Sequence, residues 1–481
     1  MSSLDPVLHR APEELSSVHL MGIGGTAMAA LAAMLQEKGV VVRGSDNRIY
    51  PPMSDFLAAR AITVHEGYRA ENLEPAPDLV IVGNVITRNN PEAVALAASR
   101  LPYLSLPQAL ANYFLTDRHP IVVTGTHGKT TTASMLAATL FRMERDPCFM
   151  IGGIVSEFGT NFRIGGGRYF VVEGDEYDTA FFDKESKFLH YRPRSAIITS
   201  LEFDHADIFD SLAEIVAMFR KFIALLPTNG IIVAHGDDDN VRRVTAHAPC
   251  PVHYYGVGAD NKWRLGTPVH RGGMTCCELF TDNRLFGIIS IRLPGLHNCL
   301  NAAAVVALLA HHGFSYDRIC GALEQFTGVK RRQEIRGTIG GITVIDDFAH
   351  HPTAVRETLA GLKQAYPDRR LIAVFEPRSN TSRRALFQDA YADSFASADL
   401  SIIREPAGDK PLCDGDIFSA ATLVSTLATR GKHAVCCRDT DEILAFLTTE
   451  LRPGDVVAIC SNGGFDNIHE RLLAQLRKQC G

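Results

Sequence analysis

The stretch Ile121-Val122-Val123-Thr124-Gly125-Thr126-His127-Gly128-Lys129-Thr130-Thr131 constrains this chain more than any other. An apolar, β-branched run stops at a glycine and a small polar loop follows. From Lys129 onward Ala133, Leu136, Ala137 and Leu140 recur at helical spacing. Strand, glycine loop and helix form the frame of a phosphate cradle: glycines let backbone N–H groups close around oxygens, and the helix N-terminus adds positive potential. Lys129 is placed to reach β- and γ-phosphates, and the Thr130 hydroxyl suits Mg²⁺. The loop is shorter than the usual phosphate loop, whose first glycine would fall on Val123. The alternative is an ordinary strand-to-helix turn with a chance lysine. Glycine, lysine and hydroxyls coinciding in strand–helix context favour the cradle.

A second glycine turn lies near the start. Val18-His19-Leu20-Met21 reads as a strand, Gly22-Ile23-Gly24-Gly25-Thr26-Ala27-Met28 as the turn, and Ala29 to Lys38 as a helix stopped by Gly39. The next strand, Val40-Val41-Val42, ends at Gly44-Ser45-Asp46. A βαβ unit with an acidic residue after its second strand suggests a dinucleotide site. Met28, however, stands where the third glycine of that fingerprint would be, so a tight turn without a ligand stays open. Leu79-Val80-Ile81-Val82-Gly83-Asn84 is a further strand, and Asn90-Pro91 starts a helix at Glu92. Gly83, Asn84 and Arg88 either face a nucleotide or belong to a plain helix cap. Leu115-Thr116-Asp117-Arg118-His119-Pro120 reads as a linker.

Downstream, Phe170-Val171-Val172-Glu173 runs into Gly174-Asp175-Glu176-Tyr177-Asp178, and Ala196-Ile197-Ile198-Thr199 into Leu201-Glu202-Phe203-Asp204-His205. Acidic residues at the C-terminal ends of strands in a doubly wound sheet are well placed for Mg²⁺, and His205 shares that edge with Lys129 and Glu173. Residues 263–291 are strand-like and turn-rich, without a catalytic signal. In Gly295-Leu296-His297-Asn298-Cys299-Leu300-Asn301, the side chains of His297, Asn298 and Asn301 cluster within one helical turn. Asn amides offer donor and acceptor together, as an adenine edge requires; simple capping by Asn298 is the alternative. Lys330-Arg331-Arg332 is a hinge-like basic triplet that can clamp phosphate beside a nucleotide site. A third α/β region follows. Its strand Ile342-Thr343-Val344-Ile345 precedes Asp346-Asp347-Phe348-Ala349-His350-His351-Pro352. Leu371-Ile372-Ala373-Val374-Phe375 leads into a loop with Arg378 and Asn380, and Val456-Val457-Ala458-Ile459-Cys460 into Ser461-Asn462-Gly463-Gly464-Phe465.

The glycine loop 125–131 resembles the ATP loop of the Mur ligases, which build the peptide stem of bacterial peptidoglycan, and the remaining stretches match that family nearly end to end. The resemblance implies that Gly125, Thr126, His127, Gly128, Lys129, Thr130 and Thr131 hold ATP. It also implies that Thr130, Glu173 and His205 hold Mg²⁺, and that Lys129, Glu173 and His205 carry catalysis. His297, Asn298 and Asn301 would meet adenine and metal-bound phosphate, Arg332 would match the family arginine, and Asp347 would meet the ATP ribose. The first glycine turn would bind the UDP of a UDP-sugar rather than NAD, with Gly22, Gly24 and Gly25 on the diphosphate, Asp46 near the uridine, and Gly83, Asn84 and Arg88 on the sugar nucleotide. Several family members carry a carbamylated lysine about fifteen residues after the histidine. Here that place falls at Phe219-Arg220, and the nearby Lys221 would face differently, as in the alanine-adding branch.

The implied chemistry is amide formation. The lactyl carboxylate of UDP-N-acetylmuramate attacks the γ-phosphate, an acyl phosphate forms, and an amine displaces phosphate. The stretches 83–91, 178–184, 201–210 and 461–465 look like the branch whose acceptor is the recycled tripeptide L-alanyl-γ-D-glutamyl-meso-diaminopimelate. Its carboxylates call for a fork such as Arg378 and for amide donors such as Asn380 or Asn462, beside Ser461. UDP-N-acetylmuramate–L-alanine ligase is the alternative within the family. A nicotinamide dehydrogenase and a phosphate-loop ATPase without an acceptor are rivals of other classes.

The bulk properties fit. The chain of 481 residues suggests about three α/β domains: 1–117 (Rossmann-like, UDP-sugar), 118–332 (phosphate-loop, ATP) and 333–481 (Rossmann-like, acceptor). A net charge of -6 argues against general binding to nucleic acid or a membrane surface. No apolar run is long enough to span a bilayer, and the start of the chain lacks the basic and apolar regions of an export signal. The 11 cysteines include no CxxC pair, which reads as reduced thiols in a cytoplasmic protein. Oligomeric state leaves no sequence signal.

Overall fold

A computed structural model describes residues 4–206, 208–406 and 417–480; Asp207, part of the 201–210 stretch, lies outside them. Three sheets follow one another along the chain. The first has five parallel strands in the order Thr63–Glu66, Val41–Asp46, Ser17–Met21, Leu79–Val82, Tyr103–Ser105. The first glycine turn leaves its middle strand, and the helix Thr26–Glu37 begins directly at Gly25, three residues before the expected start. The second strand runs unbroken to Asp46, because Gly44 pairs with both Leu20 and Val64; a Cβ there would sit 2.5 Å from the Leu20 carbonyl oxygen. The later helix is Pro91–Ala98, where Asn90 accepts from the Glu92 and Ala93 N–H groups and Pro91 takes the first turn.

The central sheet has eleven strands. Seven are parallel, in the order Cys148–Val155, Tyr169–Glu173, His119–Thr124, Ser195–Ile198, Ile231–His235, Val252–Gly256, Trp263–Leu265. His119 and Pro120, expected in a linker, open the strand that feeds the phosphate loop: the His119 N–H donates to the Arg168 carbonyl at 2.8 Å. Alternate residues of this strand enter different cores, Val122 on one face and Ile121 and Val123 on the other, which is why its sequence is apolar throughout. The turn-rich region supplies the antiparallel strands Val269–Arg271, Met274–Thr281 and Arg284–Ile291 at one edge.

The third sheet has six strands, ordered Glu334–Ile339, Ile342–Asp347, Val456–Cys460, Leu371–Phe375, Leu400–Arg404, Ala434–Cys437. Its first strand is an antiparallel edge that the sequence reading did not include. The second runs two residues further than expected, so Asp346 and Asp347 are strand residues and buried rather than loop residues. Among the described residues no helix is long and apolar enough to cross a membrane, and nine cysteines are free.

Candidate active site at the strand ends of the central sheet

The phosphate loop sits between two parallel neighbours. The register pairs Val123 with Glu173 on one side and Thr124 with Ile198 on the other, so residues leaving all three strands arrive at one edge. Gly125 has φ 126° and Gly128 φ 79°, values that disfavour any side chain. A Cβ on Gly128 would lie 2.7 Å from the Asn301 Oδ1, and one on Gly125 would lie 2.8 Å from the Ser200 nitrogen. The loop therefore needs bare backbone at both glycines, Gly125 against the 199–200 turn and Gly128 against the helix Leu296–His311. The Thr199 hydroxyl donates to the His127 carbonyl, and the His127 N–H donates to the Ser200 Oγ at 2.9 Å.

The Lys129 Nζ lies 2.8 and 3.0 Å from the two oxygens of Glu176 and 2.5 Å from the Gly125 carbonyl. Burial alone would lower the Lys129 pKa, but Glu176 and Asp175 hold it above the ordinary lysine value. Burial pushes the Glu176 carboxyl up against the pull of Lys129 and His205. Glu176 is the residue the sequence reading passed over; the only signal was its place in the acidic loop. The Thr130 Oγ1 donates to Glu173 at 2.9 Å, and the Gly152 N–H holds the other Glu173 oxygen at 2.6 Å. The Arg332 Nη2 reaches the same Thr130 hydroxyl at 3.2 Å, and its guanidinium lies 4.5 Å from the Phe348 ring centroid. Thus Thr130, Glu173 and Arg332 meet one another beside Lys129.

The His205 ring packs 4.4 Å from Tyr177, at φ 55°. Among the described residues His205 and Glu173 belong to no group of three His, Cys, Asp or Glu side chains with ligand atoms within 4.8 Å of one another. Lys221 instead pairs with Glu185 at 2.9 Å on the surface.

Gly295, at φ 101°, is the cap of the helix carrying His297, Asn298 and Asn301; Asn298 lies inside the helix and donates to the Pro294 carbonyl and to Gln333. The half-buried His297 is held neutral by desolvation, with its pKa lowered to about 4, and its Nδ1 has no partner. Asp347 accepts from the Gln333 and Ala349 N–H groups, both at 2.8 Å, so its carboxylate braces the hinge.

In the first sheet the Asp46 Oδ2 accepts from the Gly24 N–H at 2.9 Å, and Tyr68 donates to its other oxygen. Gly22 abuts Val85, so the glycine turn and the loop with Gly83, Asn84 and Arg88 are neighbours; Asn84 and Arg88 are exposed. Behind them His19, Ser45 and Asn72 converge on the fully buried Glu92, a polar core that no local pattern announced.

At the third sheet Glu376 accepts from Arg404 at 2.6 Å and from the Ser461 hydroxyl at 2.5 Å. Arg378 lies 3.8 Å from Glu376 with its guanidinium exposed, over Gly463, where a Cβ would collide with it. Asn380 is exposed, and the Asn462 Oδ1 is buried without a partner. Ser461 is spent on Glu376 and the Gly463 N–H, a supporting role in this arrangement.

Residues 17–118 match the Mur ligase family catalytic domain, 123–309 the Mur ligase middle domain, and 331–463 the Mur ligase glutamate ligase domain. The chain is 39% identical over 466 residues to the UDP-N-acetylmuramate–L-alanyl-γ-D-glutamyl-meso-2,6-diaminoheptandioate ligase of Escherichia coli K12, covering 96% of this chain and 98% of the relative. It is 33% identical over 477 residues to the UDP-N-acetylmuramate–L-alanine ligase of Carboxydothermus hydrogenoformans, covering 99% and 100%. The crystal structure of a murein peptide ligase from Psychrobacter arcticus superposes with a TM-score of 0.69 at 36% identity, over 96% of this chain and 98% of that one. The chain belongs to the Mur ligase family.

Proposed function

We propose that this protein is an ATP-dependent ligase that joins L-alanyl-γ-D-glutamyl-meso-diaminopimelate to UDP-N-acetylmuramate through an amide bond. One observation carries the reading: Arg332, on the hinge that leads into the third region, reaches the Thr130 hydroxyl of the phosphate cradle. A nucleotide site closed by a second domain suits a reaction whose activated intermediate has to be kept from water. The higher identity to a tripeptide ligase than to an alanine ligase supports the peptide acceptor.

The bare loop fits a triphosphate, since neither Gly125 nor Gly128 leaves room for a side chain. Lys129 and Arg332 would neutralise charge that grows on the transferred phosphoryl group. Glu176 would hold Lys129 until phosphate oxygens replace its carboxylate. The Thr130 hydroxyl and Glu173 carboxylate are hard oxygen donors and fit Mg²⁺, with His205 as the third group at the same strand edge. When bound, Mg²⁺ would polarise the phosphoryl oxygens. The lactyl carboxylate attacks the γ-phosphate and ADP leaves; the alanyl amine then attacks the acyl carbon and inorganic phosphate leaves. Gly22, Gly24 and Gly25 would position the UDP diphosphate, while Arg378, Asn380 and Asn462 would hold the acceptor's carboxylates.

The test is phosphate release with ATP, UDP-N-acetylmuramate and either the tripeptide or free L-alanine. The expected result is a much higher kcat/KM for the tripeptide. A preference for L-alanine would make this the alanine-adding ligase instead.

A further inference from the structure

Glu202 leaves the strand next to the phosphate loop and meets two imidazoles from different parts of the chain. The Glu202 Oε2 is 3.3 Å from the His127 Nε2 of the phosphate loop and 3.6 Å from the Nδ1 of His351, which caps the helix Pro352–Ala365. The two rings stand 4.5 Å apart, tilted by 43°. Among the described residues this is the one group of three His, Cys, Asp or Glu side chains whose ligand atoms all lie within 4.8 Å of one another.

The spacing has a chemical meaning. Four ligands at about 2.0–2.1 Å from a tetrahedral zinc ion are separated by about 3.3 Å, close to the two carboxylate–imidazole distances here. Two imidazoles and one carboxylate are a donor set for zinc-class cations, whereas Mg²⁺ prefers oxygen alone. His351 is 6% exposed, and its Nε2 has no hydrogen-bond partner. Its Nδ1, 3.6 Å from Glu202, accepts the Thr353 N–H over a long 3.3 Å, so the ring proton sits on Nε2 and a cation would take over the one Nδ1 lone pair from that cap. Burial lowers the His351 pKa to about 4, so the ring is uncharged at neutral pH. The Thr353 hydroxyl donates to the Glu202 Oε2 at 2.8 Å and orients the carboxylate, as groups behind metal ligands do.

We propose that His127, Glu202 and His351 form a binding site for a zinc-class divalent cation that clips the phosphate loop to the third region, separate from the Mg²⁺ site at Thr130 and Glu173. Three protein ligands leave one coordination position for water. A cation held there ties two domains that have to separate for substrate exchange, so it stabilises the closed arrangement.

The full chain, freed of metal with a chelator, is titrated with Co²⁺ in the presence of millimolar Mg²⁺, and the visible absorption of four-coordinate cobalt is followed. The expected result is one Co²⁺ per chain, displaced by Zn²⁺ and not by Mg²⁺. Roughly 100-fold weaker binding is expected in Glu202→Gln and in His351→Gln. Zn²⁺ should raise the thermal midpoint of the parent protein and leave both variants unmoved. Circular dichroism establishes that each variant is folded, and Glu202→Gln keeps the size and hydrogen bonding of the original side chain if His351→Gln does not fold. Unchanged cobalt affinity in a folded variant would place the ion elsewhere, for instance on the cysteine thiols, and overturn the proposal. So would the absence of cobalt bands in the parent protein at millimolar Co²⁺.

Discussion

Replacing Glu176 by Gln removes the counter-charge of Lys129 while keeping its shape. The Lys129 side chain is 13% exposed and that of Glu176 4%, so water cannot take over the ammonium. Removing one partner of a buried ion pair costs about 3–5 kcal/mol, because the other charge is left without compensation. Here the cost falls to the lower end, about 3 kcal/mol, since Lys129 keeps the Gly125 carbonyl and the attraction of Asp175 and Glu173. For a domain of about 200 residues that is a drop of roughly 6–12 °C in Tm. Phosphate oxygens supply the same counter-charge, so saturating ATP should restore most of the loss. The variant should also bind ATP more tightly, because no carboxylate competes for Lys129. The assay is a thermal melt of parent and Glu176→Gln, each with and without ATP and Mg²⁺. Equal midpoints without ATP would show that the pair is not what holds Lys129. A deficit that persists undiminished at saturating ATP would show that the lysine does not meet the nucleotide.

Three further outcomes are expected. His205→Ala should shift the Mg²⁺ concentration for half-maximal activity upward, with a smaller loss at saturating Mg²⁺; an unshifted titration removes His205 from the metal site. Arg378→Ala should raise KM for the tripeptide about tenfold or more and leave KM for ATP unchanged, because its exposed guanidinium lies beside Glu376 and Gly463 of the third sheet; steady-state kinetics with each substrate varied in turn decides it. Stability should fall as pH drops from 6.5 towards 4. Burial lowers His119 to about 3 and His297 and His312 to about 4, so across that window the unfolded chain binds protons that the folded one refuses. Burial raises the Glu202 pKa but is outweighed by the His127 hydrogen bond and charge and the Thr353 hydrogen bond, which lower it to about 2, so its stabilising contribution begins to fade near the ordinary carboxylate value, at the lower end of that window, and adds to the loss. Urea midpoints at pH 7 and 5 that coincide would contradict the histidine argument.

The phosphate loop was legible because everything that makes it is contiguous. An apolar strand, two glycines with obligatory positive φ and a helix beginning at Lys129 are local properties, readable from residue type and period. The same holds for the first glycine turn and for the strand-end carboxylate Glu173. What lay beyond that reading is whatever depends on which strand ends become neighbours. Lys129 meets Glu176 across 47 positions and Arg332 meets Thr130 across 202, contacts set by sheet register and the hinge rather than by any periodicity. Glu202 is a plain acidic residue in the sequence; it becomes a partner of His127 through the register of neighbouring strands, and of His351 only once the third region docks on the central sheet. The edge strand Glu334–Ile339 escaped because an edge is half exposed, and its residues show little of the apolar alternation that marks a buried strand. Asp347 reads as a free ligand in a loop, yet two backbone N–H groups occupy its oxygens once the strand Ile342–Asp347 extends through it. Residue chemistry along the chain thus specifies which groups are available; the packing of three sheets decides which of them face one another, because side-chain pairing across 50 to 200 positions is a property of the assembled sheet edges.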